Sequence, residues 1–279
     1  MNLDMIANRV RSLALHQGER IAASVTAPHE SGDVSTKSSL GDLVSQLDRD
    51  IESSLISQLL EIAPEAAIIG EEGGARGGSS LSWVIDPIDG STNVVHGLPH
   101  AAISIALCDN LVPTMGIVHN PFTRQTFQGI RGVGAFRYDH GTVMSREKLR
   151  VSARTNLSLS LVGFGLPYDR NRADLIFSTA LRTFVHCQDL RRRGSASLDL
   201  ISVAAGDLDA HFELDLRVWD IAAATVILEE AGGRLTQWNG QPITWRSSAD
   251  KLSVVASNSI IHEELREIIS QHNQVGEIP

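Results

Sequence analysis

The order of helical and extended apolar patterns along the chain constrains its fold more than any other feature. Residues 3–14 and 44–62 place apolar side chains at i, i+3 and i+4, which is the spacing of amphipathic helices. Short apolar runs at 67–70, 83–85 and 102–107 come next, and such runs are typical of strands. The first part of the chain therefore predicts two helices that pack against a sheet.

The remaining patterns extend this alternation to the end of the chain. Gly, Pro and Asn separate three strand-like pieces, which predicts an antiparallel meander over 115–118, 125–128 and 134–138. Beyond about residue 150, strand patterns (159–163, 210–214, 252–256) mix with helical ones (172–186, 195–205, 219–231, 260–269). We therefore predict an α+β fold of helices and sheets in layers, with a soft boundary near residue 150.

Length and composition place the chain among globular proteins. Its 279 residues exceed a typical domain of about 100 to 200 residues, which allows one large domain or two packed halves. Hydrophobic residues make up 42% and charged residues 20%. No stretch approaches the ~18 consecutive apolar residues of a membrane helix. Asp4, Asn8 and Arg9 interrupt the first apolar residues, so we expect no signal or transit peptide and a cytoplasmic location.

The formal charge of −9 argues against binding along a nucleic-acid backbone, which requires clustered Lys and Arg. An acidic protein can still bind an anion where metal cations or backbone amides meet it. The two cysteines, Cys108 and Cys187, lack CxxC or Cys/His spacing, so we expect reduced thiols.

Acidic residues follow two of the predicted strands. Glu71 and Glu72 come after 67–70, while Asp86-Pro87-Ile88-Asp89-Gly90 comes after 83–85. Pro87 keeps Asp86 out of helical geometry and Gly90 permits a tight turn, so Asp86 and Asp89 can converge on one point. Mg²⁺ requires such a point, since it binds one or two carboxylates and leaves positions for water and phosphate.

The next residues, Gly90-Ser91-Thr92, offer amides and hydroxyls before a possible helix start, which is suitable for a phosphate. Taken alone, Asp-Pro and Asp-Gly are equally consistent with ordinary turns. Asp48 borders an apolar helical stripe, where a solvated edge residue is the simpler interpretation. Asp220 opens an apolar helix, where a helix-start acid is the simpler interpretation.

Five segments together resemble the inositol monophosphatase family of magnesium-dependent, lithium-sensitive phosphatases. They are GEE at 70–72, WVIDPIDGSTN at 83–93, DLVSQLD at 42–48, RRGSASLDL at 192–200 and VWDIAAATVILEEAGG at 218–233. The resemblance implies a layered α-β-α-β-α sandwich, usually a homodimer, formed by a single domain over 1–279. The metal motifs would lie in about 1–150, and the substrate wall and last metal ligand in about 151–279.

The resemblance also implies a role for individual residues. Two Mg²⁺ ions would be held by Glu71, Asp86, the carbonyl of Ile88, Asp89 and Asp220. A third ion would lie near Glu71 and the loop around Lys37. Ser91 would pair with Asp48 to orient the attacking water, with Glu71 beside it. Phosphate would lie on Gly90, Ser91 and Thr92, and the alcohol would contact Asp89, Gly194, Ser195, Ala196 and Glu213. The chain departs from the family at Ser91, where Thr is common, and at Ala224, where Gly is usual.

The predicted function is Mg²⁺-dependent hydrolysis of a small phosphorylated alcohol, first of all inositol monophosphate, by metal-activated water. Fructose-1,6-bisphosphatase, histidinol-phosphatase and 3'(2'),5'-bisphosphate nucleotidase are alternatives within the family. A phosphatase-like protein that mainly binds a macromolecular partner is an alternative of another class. The expected partners are a small phosphorylated metabolite and a second copy of the chain, without nucleic acid or membrane. The run Arg191-Arg192-Arg193 favours a solvated face over a second phosphate site.

Overall fold

A computed structural model of the chain describes residues 2–26, 34–36, 43–141 and 144–271. The helices in these residues are α1 (Leu3–Thr26), α2 (Gln46–Ile62), α3 (Ser91–Val95), α4 (Ala173–Phe184), α5 (Ala196–Ala205), α6 (Val218–Glu230) and α7 (His262–Ser270). The strands in the first half are β1 (Val34–Thr36), β2 (Leu43–Ser45), β3 (Ala67–Gly70), β4 (Gly74–Arg76), β5 (Leu81–Asp89), β6 (Ala102–Asp109), β7 (Val112–Asn120), β8 (Gln125–Ile130), β9 (Gly134–His140) and β10 (Met144–Lys148). Those in the second half are β11 (Leu161–Phe164), β12 (Asp189–Arg191), β13 (Ala210–Leu216), β14 (Arg234–Gln237) and β15 (Leu252–Ser257).

Two sheets form the frame of the molecule. The larger has the order β10-β9-β8-β7-β6-β5-β3-β4 and is antiparallel except where β3 pairs with β5. The smaller has the order β12-β11-β13-β15-β14, with β11 parallel to both β12 and β13. β1 and β2 form a separate antiparallel pair.

Helices cover and separate the two sheets. The core between α1, α2 and the large sheet includes Ile21, Leu55, Trp83 and Ile103. Helices α5 and α6 lie between the sheets, and α4 and α7 share a third core with the small sheet. The result is an α+β fold with layers in the order α-β-α-β-α, as the resemblance to the inositol monophosphatase family implied.

Helix α6 is enclosed on all sides because it lies between the sheets, which explains its apolar sequence. It also lies close to β7, because a methyl group on Gly116 would collide with the backbone of Ala223. Ala224, where the family usually has glycine, is fully buried in the same helix. The methyl group at 224 is therefore part of the packed core.

Most predicted elements are confirmed, but several boundaries differ. The first helix continues to Thr26, and the helix predicted over 44–62 begins at Gln46 because Leu43–Ser45 form β2. The strand predicted at 159–163 begins at Leu161, because a 3₁₀ turn over Leu157–Leu159 precedes it. The side chain of Asn156 stabilises this turn by accepting a hydrogen bond from the Ser158 amide. Both cysteines are free thiols, as expected. Lys37 lies outside the described residues, and no helix within them is both long and apolar enough to cross a membrane.

Candidate active site

A cavity of about 620 Å³ opens where β5, β13 and α6 meet. Eight of the residues singled out from the sequence line it: Glu71, Asp86, Ile88, Asp89, Gly90, Ser91, Glu213 and Asp220. They come from distant parts of the chain and meet here because β5 ends on the large sheet, β13 belongs to the small sheet, and α6 begins between them.

The turn after β5 positions the central acidic residues. On β5, Asp86 pairs with Ser104 and Asp89 with Ala102, so the stretch between the two acids is one residue longer than the facing part of β6. Such a bulge bends the strand and redirects its side chains. Gly90 then adopts φ of 96°, and a Cβ there would lie 3.1 Å from the carbonyl oxygens of Gly194 and His100. Only glycine fits this turn without strain.

Burial and mutual repulsion dominate the electrostatics of the cavity. The Asp86 side chain is 1% exposed, and its Oδ1 has no hydrogen-bond partner among the described residues. Burial, together with the charges of Glu71, Asp89, Asp220 and Asp48, raises the pKa of the Asp86 carboxyl well above its ordinary value. The pKa of Asp220 is also raised well above its ordinary value, by burial and then by Asp89 and Glu71.

The interpretation of Asp220 as a helix-start acid is correct, but Asp220 also belongs to the cavity. Its Oδ2 accepts a 2.6 Å hydrogen bond from the Arg217 amide at the start of α6, while the residue also lines the cavity. The interpretation of Asp48 as a solvated edge residue is wrong, because Asp48 is 2% exposed. It lies in the first turn of α2, near enough for its charge to act on Asp86.

The donor set suits a hard cation. Several acidic residues and Ile88 line one cavity, and the buried Asp86 Oδ1 has no donor among the described residues. Within the described ranges, however, no three His, Cys, Asp or Glu side chains form a group that could hold a metal by themselves. A bound Mg²⁺ would therefore draw further oxygens from the Ile88 carbonyl, water and phosphate, in keeping with its usual coordination.

Asp89 is held in place by the start of α5. Its carboxylate accepts hydrogen bonds from Ser195 Oγ at 2.6 Å, the Ala196 amide at 3.1 Å and the Ser197 amide at 2.7 Å. Asn93 fixes the preceding loop by donating to the carbonyl oxygens of Arg193 and Gly194. The predicted wall at 194–196 is thus in contact with Asp89, although it does not belong to the described lining of the cavity.

The remaining predicted residues take different places. Ser91 lines the cavity at the first position of α3, whereas Thr92, the next residue, is not among the described lining residues. Glu213 lies on β13, where burial and the charge of Asp89 raise its pKa to about 8. Arg191 and Arg192 are exposed, as the solvated-face interpretation predicted, but Arg193 is partly buried.

Three cationic lining residues escaped the sequence analysis: Arg170, Arg217 and Lys251. Arg170 belongs to a 3₁₀ turn whose start is capped by Asp169, and the Asx-type pairing of Asp169 with the Asn171 amide is the only local signal in that segment. Lys251 precedes β15, and no pattern in the sequence links it to Arg170. The cavity is therefore lined by positively charged side chains as well as by acids.

A family model for the inositol monophosphatase family matches residues 3–274. The chain belongs to the inositol monophosphatase family. It is 34% identical to an inositol-1-monophosphatase of Synechocystis sp. over 85% of this chain and 80% of that protein. It is also 34% identical to the Nus factor SuhB of Xylella fastidiosa, over 82% of each chain. The solved structure of inositol monophosphatase from Anabaena (Nostoc) sp. PCC 7120 superposes with a TM-score of 0.82 at 29% identity, covering 97% of each chain.

Membership of the inositol monophosphatase family agrees with the layered fold and with the order of the five motif segments. The relatives carry two different names, one for a phosphatase and one for a Nus factor. Membership of the family therefore establishes the fold, while the chemistry of the reaction depends on the residues of the cavity.

Proposed function

We propose that this chain is a Mg²⁺-dependent phosphomonoesterase that hydrolyses a small phosphorylated alcohol. The observation that supports the proposal is the buried carboxylate group around Asp86, which shares one cavity with Gly90 and Ser91. Carboxylates in such surroundings repel one another unless protons or cations compensate their charge. A phosphate would add further negative charge, so phosphate binding here requires cations.

The chain's own residues suit two such cations. Glu71, Asp86 and the Ile88 carbonyl would contribute ligands to the first, and Asp86, Asp89 and Asp220 to the second, with any third ion near Glu71. Water and phosphate oxygens would complete each set, since the described side chains alone do not form a metal-binding group. When bound, Mg²⁺ lowers the pKa of water and neutralises charge on the phosphate and on the leaving oxygen. The hydrogen bonds from α5 to Asp89 keep this carboxylate oriented before any ion arrives.

The surrounding residues position the reactants. Glu71, with Ser91 and Asp48, would orient the water that attacks phosphorus, and the alcohol leaves as the P–O bond to it breaks. Phosphate would lie against Gly90, Ser91 and Thr92, of which the first two line the cavity. The buried Oδ1 of Asp86 has no hydrogen-bond donor among the described residues, and the neighbouring acids repel its charge, so the reaction should depend on added cation.

Inositol monophosphate is the first substrate we propose. Glu213, a carboxylate in the cavity, suits the hydroxyl groups of a polyol. Arg170, Arg217 and Lys251 at the same cavity would also suit a second anionic group, which keeps the bisphosphate alternatives open. Phosphate release should be measured with inositol 1-phosphate, fructose 1,6-bisphosphate, histidinol phosphate and 3'-phosphoadenosine 5'-phosphate, each with Mg²⁺. A preference for inositol 1-phosphate would support the proposal, and release from none of the four would refute it.

Binding of a macromolecular partner is the second candidate function, and the relatives that bear the name Nus factor SuhB favour it. The alternative predicts stoichiometric capture of a partner by both the unaltered protein and Asp86→Asn. If capture occurs with no turnover on any phosphate ester, the partner-binding function replaces the enzymatic one.

We also propose that the chain forms a homodimer, and one exposed helix face supports this. Phe177, Leu181, Phe184 and Val185 follow helical spacing along α4 and are 51–68% exposed. An apolar stripe of this kind is stable in water when a second surface covers it. Sedimentation should show a dimer that Leu181→Glu dissociates. A monomeric unaltered protein would contradict the proposal.

A further inference from the structure

Two glycines, one on β11 and one just after it, leave space for two polar side chains on β13. Gly163 pairs with His211 across the parallel strands, and a Cβ at 163 would lie 2.7 Å from His211 Nδ1. A Cβ at Gly165, just beyond the strand, would collide with the carboxyl group of Glu213. Because His211 and Glu213 are two residues apart on one strand, they share the same face of the sheet. The backbone therefore accommodates both side chains together.

The two side chains are in contact and differ in exposure. His211 Nε2 lies 3.1 Å from Glu213 Oε2, at hydrogen-bond distance. The His211 side chain is 0% exposed and that of Glu213 is 12% exposed, since it reaches the cavity. His211 is therefore fixed behind Glu213, and of the two only Glu213 lines the cavity where substrate would bind.

A partly buried ion pair between Arg193 and Asp199 lies near His211. Arg193 Nε donates to Asp199 Oδ1 at 2.8 Å, and Asp199 Oδ2 lies 4.0 Å from His211 Nδ1. Nδ1 itself has no hydrogen-bond partner in the described part of the chain. Burial lowers the pKa of His211, so the ring is neutral and carries one N–H. The hydrogen bond to Glu213 is then the one polar contact that the described residues give this ring.

We propose that His211 is a positioning residue that holds the Glu213 carboxyl group in the cavity, where Glu213 forms hydrogen bonds with the hydroxyl groups of a polyol phosphate. With the ring proton on Nε2, His211 donates to Oε2, which leaves Oε1 for substrate. The inference rests on the proposed phosphatase function and adds a determinant of substrate class to it. The loss of a positioned carboxylate weakens binding of substrates that need it and spares substrates without hydroxyl groups.

Two substitutions separate positioning from packing. His211→Phe keeps a ring of similar size but removes the donor, whereas His211→Gln keeps an N–H donor near the position of Nε2. His262→Phe is a matched control, because His262 is also fully buried but bonds to Thr236 and Ser257, outside the described lining of the cavity. Each variant would be assayed for kcat and KM on inositol 1-phosphate and on 4-nitrophenyl phosphate.

We expect His211→Phe to lower kcat/KM for inositol 1-phosphate about tenfold, mainly through KM, while 4-nitrophenyl phosphate changes less than about twofold. His211→Gln should recover most of the loss, and His262→Phe should keep the unaltered ratio between substrates. Equal losses on both substrates, or no advantage of Gln over Phe, would overturn the inference.

Gly165→Ala provides an independent test if His211→Phe does not fold. The added methyl group would displace Glu213 while leaving His211 intact, so the same selective loss on inositol 1-phosphate is expected, and an unchanged ratio would count against the inference. If the unaltered protein does not hydrolyse inositol 1-phosphate, the proposed polyol substrate fails and this inference fails with it. If it does, and the variants keep the substrate ratio, only the inference fails.

Discussion

Replacement of Asp86 by asparagine tests the electrostatic account of the cavity. Asp86 is 1% exposed, and its pKa is raised by burial and by four neighbouring carboxylates. Between the unfolded pKa of about 3.9 and the raised folded pKa, the folded state keeps a proton that the unfolded state has lost. The cation-free protein should therefore lose stability as the pH rises through this window.

The size of the effect has an upper bound. Each pH unit within the window costs about 1.4 kcal/mol, so at about pH 7 the loss from Asp86 is at most about 4 kcal/mol. Asparagine keeps the shape and cannot ionise, but its amide must also be desolvated, so the gain from Asp86→Asn lies between zero and that bound. A gain of about 2 kcal/mol would raise Tm by roughly 4 to 8 °C in a protein of about 150 to 250 residues and somewhat less here.

Thermal unfolding in excess chelator measures this gain. Asp86→Asn should melt at or above the temperature of the unaltered protein, with a larger difference at about pH 7 than at about pH 5. Added Mg²⁺ should raise the Tm of the unaltered protein more than that of the variant, whose turnover should collapse. A variant that melts lower in chelator, and whose folded fraction turns over normally, would show that Asp86 has a structural role.

Three further predictions concern specificity, the attacking water and pH. Glu213→Ala should reduce kcat/KM for inositol 1-phosphate much more than for 4-nitrophenyl phosphate, as steady-state assays on both substrates would show. Ser91→Ala and Asp48→Asn should each lower kcat by about 10²- to 10⁴-fold with little change in Mg²⁺ affinity. The double variant should have a kcat scarcely lower than that of the poorer single variant, and Ser91→Thr should stay active. Burial lowers the pKa of His119 to about 3 and that of His262 to about 4. Below about pH 6.5 these histidines bind protons in the unfolded chain but not in the folded protein, so their effect is to lower the stability of the fold as the pH falls towards about 4. Urea unfolding of His262→Gln should therefore show a shallower dependence of stability on pH than that of the unaltered protein.

Three results would contradict these predictions. Equal losses of kcat/KM on both substrates would show that Glu213 does not recognise the hydroxyl groups. Losses for Ser91 and Asp48 that multiply in the double variant would show that the two act independently. A pH slope that His262→Gln leaves unchanged would show that folding does not lower the pKa of this histidine.

The sequence predicted the strands inside the two sheets and missed those at their edges. The missed strands β4, β10, β12 and β14 are the outermost members of the two sheets. An inner strand is buried on both sides and shows its own apolar pattern, whereas an edge strand such as β4 is largely exposed and is formed by pairing with its neighbour. Short polar strands of this kind leave little trace in a single sequence.

The same distinction holds within the candidate site. Asp86 and Asp89 could be placed because only two residues separate them and the tight turn at Gly90 follows directly. Lys251 could not be placed, because only the packing of the two halves brings it to the cavity. The contact between His211 and Glu213 did leave a signal, since three ionisable residues (His211, Glu213 and Asp215) alternate with apolar ones along β13, in the manner of a strand with one polar face.

Phosphate release from inositol 1-phosphate, before and after removal of divalent cations, tests the central claim most directly. The acids that line the cavity require cations to admit a phosphate, so excess chelator should abolish release and Mg²⁺ should restore it. Ca²⁺ should substitute poorly, because it is larger and less strict in its geometry. Full release of phosphate in excess chelator would contradict the account.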